Sequence, residues 1–311
     1  MDKKKKSVKA ELESNSSQEK VKPADLFEQG SQAQAVFDYP KAIELFSSAL
    51  DKKDVPQEMA YMILDQRSEC HERLGQFKEE LEDLDQMVSI AQEIGDAHLQ
   101  TDIVFRQLFT AGRMGANDKI HAIAEATKIV GKNQDDILIS AAVSLAIGYD
   151  FWRSEERKEA QENFEQALRQ YRAAGDREGE GNTLAALGSV VLDAGNQELA
   201  GKYARDAQDI WRSLGNRKRE ASSINAWSLT TSDYAKKRDA GEEALEINIS
   251  IGDRWGQCQM YNNLSLIYGH LGLYSTARNY AQRAVGMVRE MGARYGLALY
   301  LDSLARAEMN L

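Results

Sequence analysis

The stretch from Ile251 to Ala293 reads IGDRWGQCQMYNNLSLIYGHLGLYSTARNYAQRAVGMVREMGA and holds one full period of the chain. It opens on Ile251-Gly252-Asp253, breaks once at Leu271-Gly272 and closes on Met291-Gly292-Ala293. A glycine that follows an apolar-periodic segment ends a helix, because it takes the left-handed conformation of a C-terminal cap, and an Asp or Asn after it caps the next helix. Ala277, Ala281 and Ala284 repeat at helical spacing. Small residues of this kind let two helix backbones approach, while Leu264 and Tyr268 fill the grooves between them.

Outward from this stretch the same signature recurs at Ile94-Gly95-Asp96, Ala174-Gly175-Asp176 and Leu214-Gly215-Asn216. The five glycines are spaced 80, 40, 37 and 40 residues apart, one period of 40 that is missed once and shortened once. A second break comes midway, at Leu74-Gly75, Met114-Gly115, Ala194-Gly195 and Leu271-Gly272. Each unit therefore predicts two helices of about 15 residues, and an αα-hairpin of that size cannot bury its apolar stripe alone, so successive hairpins must stack. All three prolines lie at or before Pro56, which excludes a turn-rich all-β fold. The expected architecture is an all-α solenoid of seven hairpins at 23–56, 57–95, 97–135, 137–175, 177–215, 217–252 and 254–292. A terminal helix at 294–311, with the stripe Leu297, Leu301, Leu304 and Ala305, caps it, and residues 1–22 form a disordered basic tail.

These residues resemble the tetratricopeptide repeat over residues 23 to 311. The first unit carries the pattern as Leu26, Gly30, Ala33, Ala42, Phe46, Ala49 and Pro56. A period of 40, longer than the usual 34, and the run Tyr261 to Ala277 look like the subclass found in kinesin light chains, Pins-like polarity adaptors, rapsyn and bacterial multidomain regulators. The resemblance implies a protein-binding scaffold, or a sensory module in some bacterial regulators. Two units depart from the pattern: Glu80 and Met87 stand where small residues are expected in the second, and Arg106-Gln107-Leu108 in the third. The sixth loses three residues around Thr231 to Lys237.

Composition narrows the function further. The net charge of −10 divides into +3 on residues 1–22, with seven Lys against four acids, and −13 on the rest. An acidic body repels phosphate backbones, so nucleic acid is not the expected partner. No window reaches the roughly 18 consecutive apolar residues of a membrane span. The N-terminus lacks the apolar segment of a secretory signal, and Cys70 and Cys258 are too few and too distant for a disulfide framework. A cytoplasmic setting is expected, with Lys3 to Lys6 as a candidate nuclear address. His71, His98, His121 and His270 stand without a second ligand at metal spacing, Gly179-Glu180-Gly181 reads as a helix start, and the pairs Glu79-Glu80 and Glu242-Glu243 read as solvated faces. No catalytic residue, metal or cofactor is expected.

Binding then depends on the inner surface. In the tetratricopeptide arrangement the first helix of each hairpin lines the concave side. Carried onto this chain, that implies an acidic patch of Asp65, Glu69 and Glu72 and an aromatic zone of Phe105, Phe109, Leu145, Tyr149 and Trp152. An amide-rich zone follows, with Asn182, Asn225, Gln259 and Asn262. Aromatics anchor a partner's apolar side chains, and amides pair with its backbone. The alternative is that Phe105, Phe109 and Trp152 pack into neighbouring helices. The expected partner is a peptide or amphipathic helix of another protein with apolar and basic residues. Two classes of function remain open, a non-enzymatic adaptor and a sensory module of a larger regulator that binds a small molecule.

Overall fold

The structure, a computed structural model, describes residues 22–132, 135–291 and 296–310. The expected tail (but for Lys22), the closing Gly292-Ala293 and Leu311 lie outside the described residues. All elements among the described residues are helical. In chain order they are α1 (Pro23–Ala35), α2 (Tyr39–Leu50), α3 (Gln57–Leu74), α4 (Phe77–Ile94), α5 (Ala97–Asp102), α6 (Val104–Met114), α7 (Asn117–Gly131) and α8 (Ile137–Arg153). Then come α9 (Arg157–Ala174), α10 (Arg177–Asp193), α11 (Gln197–Ser213), α12 (Arg217–Ser228), α13 (Tyr234–Ser250), α14 (Arg254–His270), α15 (Tyr274–Glu290) and α16 (Leu297–Met309). Two compact units are distinguished, residues 1–67 and 68–311, with the boundary inside α3.

In the first unit α1 packs on α2 around Leu26, Ala42, Phe46 and Ala49. Gly30 makes this possible, since a Cβ there would lie 2.5 Å from the Phe46 ring.

The second unit is an α-solenoid of consecutive helix pairs, in which α8 packs on α9, α10 on α11, α12 on α13 and α14 on α15. The repeat glycines do what their spacing implied. Gly75, Gly95, Gly115, Gly175, Gly195, Gly215, Gly252 and Gly272 all have positive φ, between 64° and 85°. The caps follow as expected: Asp96, Asp176, Asn216 and Asp253 each accept a hydrogen bond from the backbone N–H three residues on, at 2.9 to 3.1 Å. A further signature recurs at 40 residues. Glu180 pairs with Arg172 and Arg177, and Glu220 pairs with Arg212 and Arg217, so each buried carboxylate ties the end of one hairpin to the start of the next.

Three details differ from the sequence reading. The first helix of the third unit is broken at Ile103 into α5 and α6, because an interior filled by Val104, Phe105 and Leu108 replaces the small-residue contact of other units. The deletion in the sixth unit falls on α12, 12 residues long where α8, α10 and α14 have 17. The terminal helix turns Tyr300, Ser303 and Ala307 inward rather than the leucine stripe, and Leu301 is exposed. The helix carries two apolar stripes, and the one with the Tyr300 ring docks beside Trp255, centroids 6.4 Å apart.

Close approach of small residues to rings sets the helix spacing. A Cβ on Gly148 would lie 2.5 Å from the Phe164 ring, and one on Gly181 would lie 2.6 Å from the Trp211 ring. Gly148→Ala is therefore expected to destabilise by about 1–3 kcal/mol through overpacking. Gly286→Ala, on an open face of α15, is expected to stabilise by about 0.5–1 kcal/mol through helix propensity. Urea unfolding of the two variants beside the parent chain checks both signs.

Candidate functional site

The first helices of five successive hairpins in the second unit, α6, α8, α10, α12 and α14, line a cavity of about 400 Å³. Helix α6 contributes Phe105 and Phe109, their rings stacked at 5.6 Å, and α8 adds Tyr149 and Trp152 at 5.9 Å from each other. Tyr149 joins the two, edge-on to Phe105 at 6.4 Å and to Phe164 at 5.2 Å. Asn182, Asn225 and Gln259, one from each later helix, also line the cavity. Asn182 Oδ1 is buried without a hydrogen-bond partner among the described residues. Asn225 Oδ1 accepts from Asn263 Nδ2 at 3.0 Å.

The aromatic residues thus serve both readings offered by the sequence: Phe105 and Tyr149 belong to the core and also show an edge to the cavity, while Phe109 and Trp152 are half-buried against that core. Leu145 does not reach the cavity. It is 1% exposed within the core, because α8 is apolar around most of its circumference and its sequence leaves the inward face ambiguous. Asn262 is buried away from the cavity, with its Oδ1 unpartnered among the described residues. Trp152 is held by its indole N–H, which donates to Asp193 Oδ2 at 2.9 Å.

The acidic patch does not form the free anionic surface that the sequence implied. Asp65 lies in the first unit. In the second, Glu72 is buried and its carboxylate is shared by Lys218, in direct contact, and Arg113 at 3.4 Å. Burial opposes its ionisation, but Lys218, Arg113 and Arg219 override this and hold Glu72 well below the usual carboxylate range. Burial pulls the Lys218 ammonium down, against the pull of Glu72 and Asp253.

Glu80 is a further correction. It is 1% exposed rather than on a solvated face, with Oε1 accepting from Thr110 Oγ1 at 2.9 Å and Oε2 unpartnered among the described residues. Burial, reinforced by the charge of Glu72, pushes its carboxyl up to about 7. The signal was available in the sequence, since Glu80 occupies the position where the repeat wants a small buried residue.

Among the described residues no group of three His, Cys, Asp or Glu stands ready to hold a metal ion. His98 and His121 instead pair with Asp136 and Asp150, at 3.1 and 3.0 Å. Cys70 and Cys258 are unpaired, and burial pushes both thiols up to about 12, which leaves them protonated and inert at neutral pH. No described helix is long and apolar enough to cross a membrane.

Residues 140–213 and 259–287 match family models of the tetratricopeptide repeat. A search of curated proteins returns no significant sequence match. Several solved structures share the fold. The apo form of RapI is 14% identical, with 93% of this chain and 97% of that chain covered at a TM-score of 0.53. A Rap protein complexed with Competence and Sporulation Factor is 12% identical, covering 87% and 76% at 0.58. The apo quorum sensor NprR from B. thuringiensis is 9% identical, covering 85% and 76% at 0.55. At such identities the likeness is one of fold.

The Glu80 geometry has a pH signature. Its folded carboxyl binds a proton more tightly than an unfolded one, so its contribution to stability is present below about pH 4.5 and is lost as pH rises through about 7. Glu80→Gln keeps an acceptor for Thr110 and cannot ionise. It is expected to gain on the parent chain between pH 5 and 8 by on the order of 1–3 kcal/mol, as read from urea midpoints across that range.

Proposed function

We propose that this chain, a member of the tetratricopeptide repeat superfamily, is a non-enzymatic interaction module that takes a short segment of another protein, or a free peptide, into the cavity of its second unit. The observation that carries this reading is convergence: Phe105, Phe109, Tyr149 and Trp152 line one cavity together with Asn182, Asn225 and Gln259, drawn from five hairpins. Aromatic rings give large contact area at low rotamer cost, and amides donate to and accept from a peptide backbone. A space of about 400 Å³ sits at the small end of ligand pockets, roughly 300–1,000 Å³. It suits an extended segment of a few residues better than a helix, whose diameter with side chains is about 10–12 Å.

The size of the cavity, about 400 Å³, also favours a second reading, a sensory module of a larger regulator that responds to a small ligand. The solved relatives of the fold include a Rap protein bound to Competence and Sporulation Factor and a quorum sensor, and these support a ligand-responsive role. In both readings the chain works in the cytoplasm, in keeping with its two unpaired buried cysteines.

Equilibrium dialysis of the full chain against a pool of random pentapeptides, read by mass spectrometry, tests the peptide site. The parent chain and the exposed-site control Lys158→Ala are expected to retain the same subset of peptides, and Trp152→Ala to lose it with its far-ultraviolet circular dichroism unchanged. Equal retention by Trp152→Ala and the control would remove the cavity from the reading.

A further inference from the structure

The cavity carries a charge imbalance. Its charged lining consists of Arg113, Arg153, Lys218 and Arg219 against one acid, Asp253. Asp253 is already engaged, since its Oδ1 caps Gly256 N at 3.0 Å and its Oδ2 lies 3.8 Å from Arg73 Nη1. Glu72 serves Lys218 and Arg113, and Arg153 donates to Asn117 Oδ1 at 2.8 Å. Arg219 is left over. Its guanidinium makes no ion pair and no hydrogen bond among the described residues. It lies instead over the rings of Phe105 and Phe109, at 4.9 and 5.0 Å, while Arg113 lies over Phe109 at 4.2 Å. Three cations therefore surround one ionised carboxylate, and two of them share an aromatic ring.

Ring faces offset part of the cost of holding a cation away from water. They do not satisfy the five N–H donors of a guanidinium. A cation so placed is costly unless a counter-charge joins it, and the carboxylate that acts on Arg219, Glu72, is already shared by Lys218 and Arg113. The planar fork of Arg fits a carboxylate in two-point contact, and Arg219 lines the cavity.

We propose that Arg219, with Arg113 beside it, receives a carboxylate of the bound peptide, so that the ligand of this cavity is an acidic peptide. This rests on the reading of the cavity as a peptide site, and it reverses the charge expected from Asp65, Glu69 and Glu72. The carboxylate comes from the peptide's C-terminus or from an Asp or Glu side chain. Asn182 and Asn225 then face the peptide backbone, and the Phe109 and Trp152 rings face its apolar side chains.

Three pools of synthetic pentapeptides, each offered to the full chain and recovered by rapid gel filtration and mass spectrometry, test the assignment. The first has a free C-terminus and no Asp or Glu, the second an amidated C-terminus and one Glu, and the third an amidated C-terminus and no acid. One or both carboxylate pools are expected to exceed the third by roughly 10- to 100-fold, the worth of a charged hydrogen-bonded pair, and their ratio identifies the source of the carboxylate. Arg219→Gln is expected to erase the margin while the third pool's retention stays the same. A margin that survives Arg219→Gln overturns the role of Arg219. Equal retention of all three pools by the parent chain overturns the carboxylate and leaves the peptide site standing, whereas retention of none overturns both. The comparison within the parent chain holds even if the variant folds poorly.

Discussion

The interior of the second unit is organised by one carboxylate. Glu72, near the end of α3, draws Lys218 of α12 and Arg113 of α6 to a single buried point. Those two helices lie far apart along the chain. Lys218 and Arg113 both line the cavity, as does Arg219, the next residue after Lys218. A buried ion pair contributes little net stability against a well-packed apolar alternative. What it does supply here is position: any register in which α12 slides takes Lys218 from Glu72 and leaves a buried ammonium without its partner, a costly arrangement.

Around this point the unit is assembled by size. Rings sit where glycines leave room, Phe164 over Gly148 and Trp211 over Gly181, and Ala160 and Ala167 of α9 and Ala200 and Ala207 of α11 are almost wholly buried. The contact is steric and short-ranged, so it fixes how far apart paired helices lie and thereby how wide the cavity between hairpins is. The clips formed by Glu180 and Glu220 with their flanking arginines repeat the same join at each step.

Most of the fold was legible because its punctuation is chemical. A glycine that closes an apolar-periodic segment marks a helix end and little else, and eight left-handed glycines fall where the period put them. The site was less legible. Tyr149 and Trp152 could be placed, since they stand on either side of the turn that faces inward. Leu145 could not, because α8 is apolar on nearly every face. Charge was the hardest to read: Glu72, Lys218 and Arg113 come from three distant helices, and no local pattern announces that they meet. Glu80 differs: its place in the repeat marked it as buried, but its neighbours Glu79 and Lys78 are exposed and its partner Thr110 is 30 residues away, so the local charge pattern pointed outward.

Trp255 makes the second unit more than a row of neighbours. In an open solenoid each repeat touches only the next, so the ends can fray without disturbing the middle. Here the Trp255 ring lies edge-on to Phe77 at 5.1 Å and covers Gly75, which brings α14 against the turn between α3 and α4. A contact across so much sequence carries a heavy loop-closure cost and forms late in folding. Once made, it joins early and late hairpins into a closed circuit, and opening any one of them must break it. The unit therefore melts as one cooperative body, and the walls of its cavity stand or fall together.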